Sequence, residues 1–176
     1  MTQSTAKIEH AEIRTLLSYL NAQRQHVLGI LEGIEEEDLR RQILPSGWTC
    51  LGLIRHLTLD VEQFWFRGIV AGDQDVIDRL AAGHESSWIV GGDIPASDVF
   101  DAYRRQIERA NAILTIASPD ATLAWWPEGL FGDWRLDTVR EVILHVFTET
   151  ACHAGHLDAA REIIDGRQWM VLDVLD

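Results

Sequence analysis

Apolar residues recur at intervals of three and four in four long stretches of this 176-residue chain, and polar or glycine-rich links separate them. The first runs from Thr5 to about Gly33 and carries Ile8, Ile13, Leu16, Leu17, Leu20, Val27, Leu28 and Leu31, with charged and amide residues between them. That spacing predicts a long amphipathic helix. Glu35, Glu36, Glu37 and Asp38 then form an acidic patch, suited to opening a helical turn or to serving as a solvated link. Pro45-Ser46-Gly47 closes the connection.

A second helix is expected from Thr49, a suitable cap, through Leu51, Leu53, Ile54, Leu57, Val61, Phe64 and Trp65 to Gly72. Residues 73 to 94 are less regular and read as a long crossover, with one helical turn near Val76 to Ala82. Ser97 is expected to cap a third helix containing Val99, Phe100, Tyr103, Ile107, Ala110, Ile113 and Leu114, which ends before Ser118-Pro119. The segment ATLAWWPEGLFGDWR crowds Trp125, Trp126, Phe131 and Trp134 together. Such a cluster either forms a hydrophobic wall beside a pocket or seals one end of a helical bundle. A fourth helix starts at Asp137 or Thr138, runs to Ile164 and stops at Asp165-Gly166. No strand-period segment or internal repeat competes, so the prediction is all-α: a single domain over 1–176, folded as a four-helix bundle with a long crossover connection. The apolar tail, WMVLDVLD, is expected to pack back on the bundle or across a homodimer interface.

Composition narrows the partners more than the fold. Hydrophobic residues at 47% and charged residues at 24% are globular values, and nothing approaches the run of about 18 apolar residues that a membrane span requires. A net charge of −13 repels phosphate backbones and anionic lipid, which argues against nucleic acid and membrane partners. Two cysteines, Cys50 and Cys152, make no disulfide framework and suit a reducing compartment; both read as core residues. With no signal-peptide pattern at the N-terminus, a cytoplasmic location is expected. Lys7 is the only lysine among 15 basic residues, which suits a coding sequence of high G+C content, as in actinobacteria.

The candidate chemistry lies on the fourth helix, where His145, Glu149 and His153 follow one another at steps of four. Residues so spaced share a helix face, and two such side chains can grip one ion. His56 stands amid Leu53, Ile54 and Leu57, where a side chain faces the bundle interior, and is the natural third donor. The same pattern also describes an ordinary core histidine and a weak surface ion pair. Imidazole and carboxylate donors would suit Zn²⁺, Ni²⁺ or another divalent first-row ion.

The stretches SGWTCLGLIRHLTLDVEQFW and WRLDTVREVILHVFTETACHAGHLDAAREIIDG resemble the two signature segments of the DinB/YfiT-like superfamily, in its DUF664-type branch. The order of elements matches over nearly the whole chain. The resemblance implies a four-helix bundle in which a histidine on the second helix and a pair spaced by four on the last helix bind a divalent metal, commonly zinc or nickel. The matching positions are His56, Glu149 and His153. Many members have histidine where this chain has Glu149, but a His, Glu, His set is found in the similar mycothiol-dependent maleylpyruvate isomerases. His145 is open to ligation or to a supporting role, and His156 to a place at the pocket rim.

The resemblance further implies a thiol-dependent S-transferase or isomerase acting with mycothiol or bacillithiol, in which the metal activates a thiolate toward a small-molecule electrophile. Arg55, Arg140 and Arg161 are candidates to hold a substrate carboxylate. A hydrolase using metal-bound water and a non-catalytic metal-binding stress-response protein remain the alternative readings.

Overall fold

The first apolar stripe folds as α1, Thr2–Ile30, with Ile13, Leu17, Leu20, Val27 and Ile30 buried along one face. The structure is a computed structural model and describes residues 2–83 and 86–170, with side chains from residue 11 onward. The acidic patch forms the short helix α2, Glu36–Arg40, pinned by the buried Leu39. Thr49 then caps α3, Cys50–His56, as its spacing predicted, its hydroxyl oxygen accepting from the Gly52 amide at 3.0 Å.

Beyond His56 the helix continues without a break over Leu57–Val70 in the wider π geometry. There, amides reach back five residues instead of four, as the Ala71 amide does to the Phe66 carbonyl at 3.1 Å. Such turns concentrate at functional sites. The crossover contains α4, Gln74–Ala82, capped by Asp73. Next comes α5, Ala96–Ile116, whose start differs from expectation. Pro95 holds the cap position with no side-chain bond, and Ser97 lies inside the first turn. Proline's fixed φ and missing amide are tolerated at a helix entrance, although Pro95 offers no side-chain oxygen to the first amides. The last helix, α6, Val139–Asp165, opens on a full capping box between Thr138 and Glu141. It closes on Gly166, whose φ of 79° is the left-handed conformation of a helix C-terminus.

Four long elements make the bundle: α1 lies against α6 and α5, and the π segment lies between α5 and α6. Leu20, Leu53, Ile54, Leu57, Leu114, Val142, Ile143 and Leu157 fill the interior. Among the described residues there is no strand, only an isolated bridge between Thr122 and Thr138. One polar cluster crosses the core. Arg24 of α1 donates two bonds of 2.6 Å to the carboxylate of Glu62 on the π segment, and its remaining donors reach Asn21 and Asn111 at 2.8 Å.

Two loops are tied down where they shape the site. The aromatic segment is anchored to the end of the π segment, because the Ala124 and Trp125 amides both bond the Ile69 carbonyl. The tail begins by turning back, with Trp169 stacked on His26 of α1 at 4.9 Å. The last six positions of the expected apolar tail lie outside the described residues. No helix among the described residues is long and apolar enough to cross a membrane.

Candidate metal centre

Helix α6 brings Glu149 and His153 to one face, and the junction between α3 and the π segment brings His56 opposite them. The carboxylate Oε1 of Glu149 lies 3.6 Å from His56 Nε2 and 4.0 Å from His153 Nε2. One donor atom from each of the three falls within 4.8 Å of the others, a grouping found nowhere else among the described residues. Donors about 2.1 Å from a zinc-sized ion stand about 3.4 Å apart in a tetrahedral set, so this arrangement needs only small side-chain adjustments to close on a cation. Two nitrogens and one carboxylate oxygen are also the donor types that such an ion takes.

The neighbours orient these donors. Nδ1 of His56 lies 2.8 Å from Asp60 Oδ2, which turns Nε2 toward Glu149. Ser87 donates its hydroxyl to the same Asp60 oxygen. The indole of Trp88 stacks on the His56 ring, with centroids 4.1 Å apart and planes 15° from parallel. This stacking depends on Gly52: a Cβ there would sit 2.2 Å from the Trp88 carbonyl oxygen, so only glycine lets the crossover lie this close to α3. Arg55 clamps the same loop by donating to the carbonyls of Ser86 and Ile89.

Electrostatics favour a positive charge at this point. Burial works to raise the Glu149 carboxyl, but hydrogen bonds from His145 and His56 outweigh it and hold it down to about 2. Burial and the nearby His56 push the His153 imidazole down to about 4, leaving it neutral with a free lone pair at ordinary pH. For His56 burial opposes protonation, yet the bonds to Asp60 and Glu149 win and the pKa is raised. Two carboxylates thus share one ring, and the site is short of positive charge.

The three donors open onto a cavity of about 1290 Å³ lined mainly by apolar side chains, among them Phe64, Trp65, Trp125, Trp126 and Phe131. Of the two expected roles of the aromatic segment the first is realised: Trp125, Phe131 and the buried Trp126 wall the cavity. His145 stands 3.4 Å from the second oxygen of Glu149 and packs edge-on against Trp65, so it supports the carboxylate from behind. His156 is exposed, with Nδ1 3.5 Å from His153 Nδ1, at the outer edge of the cluster.

Cys50 is buried as expected, and burial raises its thiol to about 11. Cys152 corrects the expectation: it is exposed and lines the cavity, because it falls at the edge of the α6 face that carries Glu149 and His153. None of the three candidate arginines lines the cavity. Arg55 is engaged with backbone carbonyls, Arg140 with Glu12 and Asp120, and the buried Arg161 with Asp165 and the carbonyls of Ile30 and Glu32. Sequence reasoning missed Asp60 and Trp88. The first was detectable, since His56 and Asp60 are spaced by four like Glu149 and His153; nothing in the pattern marked the second.

An all-helical bundle with such a donor set at the mouth of an apolar cavity has the architecture of the DinB-like proteins. Residues 15–166 match the model of the mycothiol-S-transferase family, and the chain belongs to that family. No curated protein and no solved structure matches the chain significantly.

Proposed function

We propose that this protein is a metal-dependent S-transferase that joins the sulfur of mycothiol to an electrophilic small molecule. The observation that supports it is the meeting of His56, Glu149 and His153 at the wall of a large apolar cavity, in a chain of the mycothiol-S-transferase family. Zinc or nickel suits the donors. These three side chains would hold a divalent ion, which as a Lewis acid would favour the thiolate form of a low-molecular-weight thiol at neutral pH. The chain's own groups do the rest. Asp60 and Trp88 fix the ring of His56, and His145 steadies the second oxygen of Glu149. The aromatic walls exclude water and hold the electrophile beside the triad, which raises the effective concentration of the two reactants.

The test is to purify the protein without chelator, measure bound metal, and follow conjugation of mycothiol, with bacillithiol as comparator, to a panel of electrophiles. One divalent ion per chain is expected in the wild type and none in His153→Ala, with thiol transfer lost in parallel. A metal-free wild type, or full metal content in His153→Ala, overturns the centre. Stoichiometric metal without transfer to any electrophile overturns the chemistry, and turnover that needs no thiol points to hydrolysis by water instead.

A further inference from the structure

Trp88 borders two spaces. Its indole stacks on His56, and it also lines a second cleft, of about 580 Å³, that shares no lining residue with the aromatic cavity. That volume falls in the range of a site for one small ligand, about 300–1,000 Å³. Trp48 stands in the same cleft and reaches toward the triad, its ring 6.2 Å from that of His156, whose Nδ1 lies 3.5 Å from His153 Nδ1. The Trp88 ring is itself 5.9 Å from that of His153. The cleft therefore adjoins two of the three candidate donors, His56 and His153, across its own indoles.

The lining of this cleft is polar but carries no unpaired charge. Arg40 is the one ionised side chain among the described residues that line it; it is paired with Glu36 at 2.7 Å and donates to the Gly91 carbonyl at 3.2 Å. The side chains of the exposed Gln42 and Ser46 make no hydrogen bond to any described residue. An amide and a hydroxyl thus remain open to a ligand, beside two half-buried indoles.

We infer that this cleft binds an uncharged, polyhydroxylated group, and that in the S-transferase reading, on which the inference rests, this group is the sugar portion of the thiol. Mycothiol carries its sulfur on an N-acetylcysteinyl arm, joined by an amide to a neutral pseudodisaccharide of glucosamine and inositol. The C–H faces of such rings suit the electron-rich faces of Trp48 and Trp88. Their hydroxyls exchange bonds to water for bonds to the Gln42 amide and the Ser46 hydroxyl, so little hydration is lost without replacement. The rings of Phe64, Trp65, Trp125 and Phe131 in the other cavity offer a polyol no such partners. With the sugar seated here, the arm passes the edge of Trp88 beside His153 and His156 to the triad, and the aromatic cavity is left to the second reactant.

The test uses S-methylmycothiol, a thioether that forms no thiolate, so its affinity reports the arm and the sugar instead of a metal–thiolate bond. Calorimetry on the zinc-loaded full-length protein compares it with N-acetyl-S-methylcysteine methylamide, the same arm without the sugar. The sugar-bearing probe is expected to bind about tenfold more tightly or better. Trp48→Ala, which removes one indole face, and Ser46→Trp, which fills the cleft from an exposed loop position, are each expected to erase most of that advantage in zinc-loaded protein. Equal affinity for the two probes, or an advantage that survives either substitution, overturns the inference. A sugar advantage in a protein that transfers mycothiol to no electrophile upholds the cleft and removes the S-transferase reading, whereas transfer without any sugar advantage removes the cleft and leaves that reading standing.

Discussion

Nδ1 of His56 lies 2.8 Å from Asp60 Oδ2 one helical turn further on, which leaves Nε2 of the same ring facing Glu149 at 3.6 Å. A carboxylate behind a histidine donor sets its tautomer and strengthens it as a ligand, and losing such a partner lowers metal affinity about 10–100-fold. Asp60→Asn is therefore expected to weaken metal binding by that factor with its helical content unchanged. Competition against a chromophoric chelator measures it, and an unchanged affinity would show that Asp60 does not support the centre.

Gly52 and Trp88 give a second prediction. Gly52→Ala places a methyl group 2.2 Å from the Trp88 carbonyl oxygen, so the loop must move away from α3. Overpacking of this kind costs about 1–3 kcal/mol, which urea unfolding reads directly. Because the displaced loop carries the indole stacked on His56, metal affinity should fall as well, and Trp88→Ala should reproduce that second effect without the clash.

The core cluster makes a prediction about stability alone. Both side chains of the Arg24–Glu62 pair are almost fully buried, at 2% and 0% exposure. Glu62→Ala leaves the guanidinium buried and unpaired, at a cost of about 3–5 kcal/mol. The double variant Arg24→Met, Glu62→Leu should recover most of that loss, since both charges are gone. Denaturant midpoints of the two variants decide it; equal loss in both would locate the penalty in packing.

Arg140 ties the start of α6 to α1 and to the loop before it, through Glu12 and Asp120. Its hydrogen bonds hold both carboxyls below their ordinary values of 4.5 and 3.8. A carboxyl with a lowered pKa in the folded protein stabilises it above the unfolded value and loses that contribution as the pH falls through the folded value. Arg140→Met should accordingly melt below the wild type at pH 7, with the gap closing in acid below 3.8. Asp120 is exposed and Arg140 and Glu12 are only half-buried, so the difference is small and shrinks in high salt. Melting curves at several pH values check it; a gap that persists in acid would assign the effect to lost packing.

What the chain reveals by its own order is whatever depends on neighbours along a helix. The apolar stripes of α1, α5 and α6, the caps at Thr49 and Thr138, and the shared face of Glu149 and His153 all follow from helical periodicity, which is local and readable from spacing. Resemblance to a known superfamily, and no spacing rule, joined His56 to that pair. The start of α5 lies earlier than its serine suggests, because cap preference favours Ser97 while the packed loop sets the helix to begin after Pro95.

Tertiary structure decided everything that requires one segment to meet another at no fixed interval. It laid Trp88 on His56 through the gap left by Gly52, set Ser87 on Asp60, turned Cys152 outward to the cavity, and drew Arg55, Arg140 and Arg161 into structural bonds away from it. Loops carry no repeat, and a charged side chain takes the partner that packing brings within reach, so these contacts exist only once the helices have closed on one another.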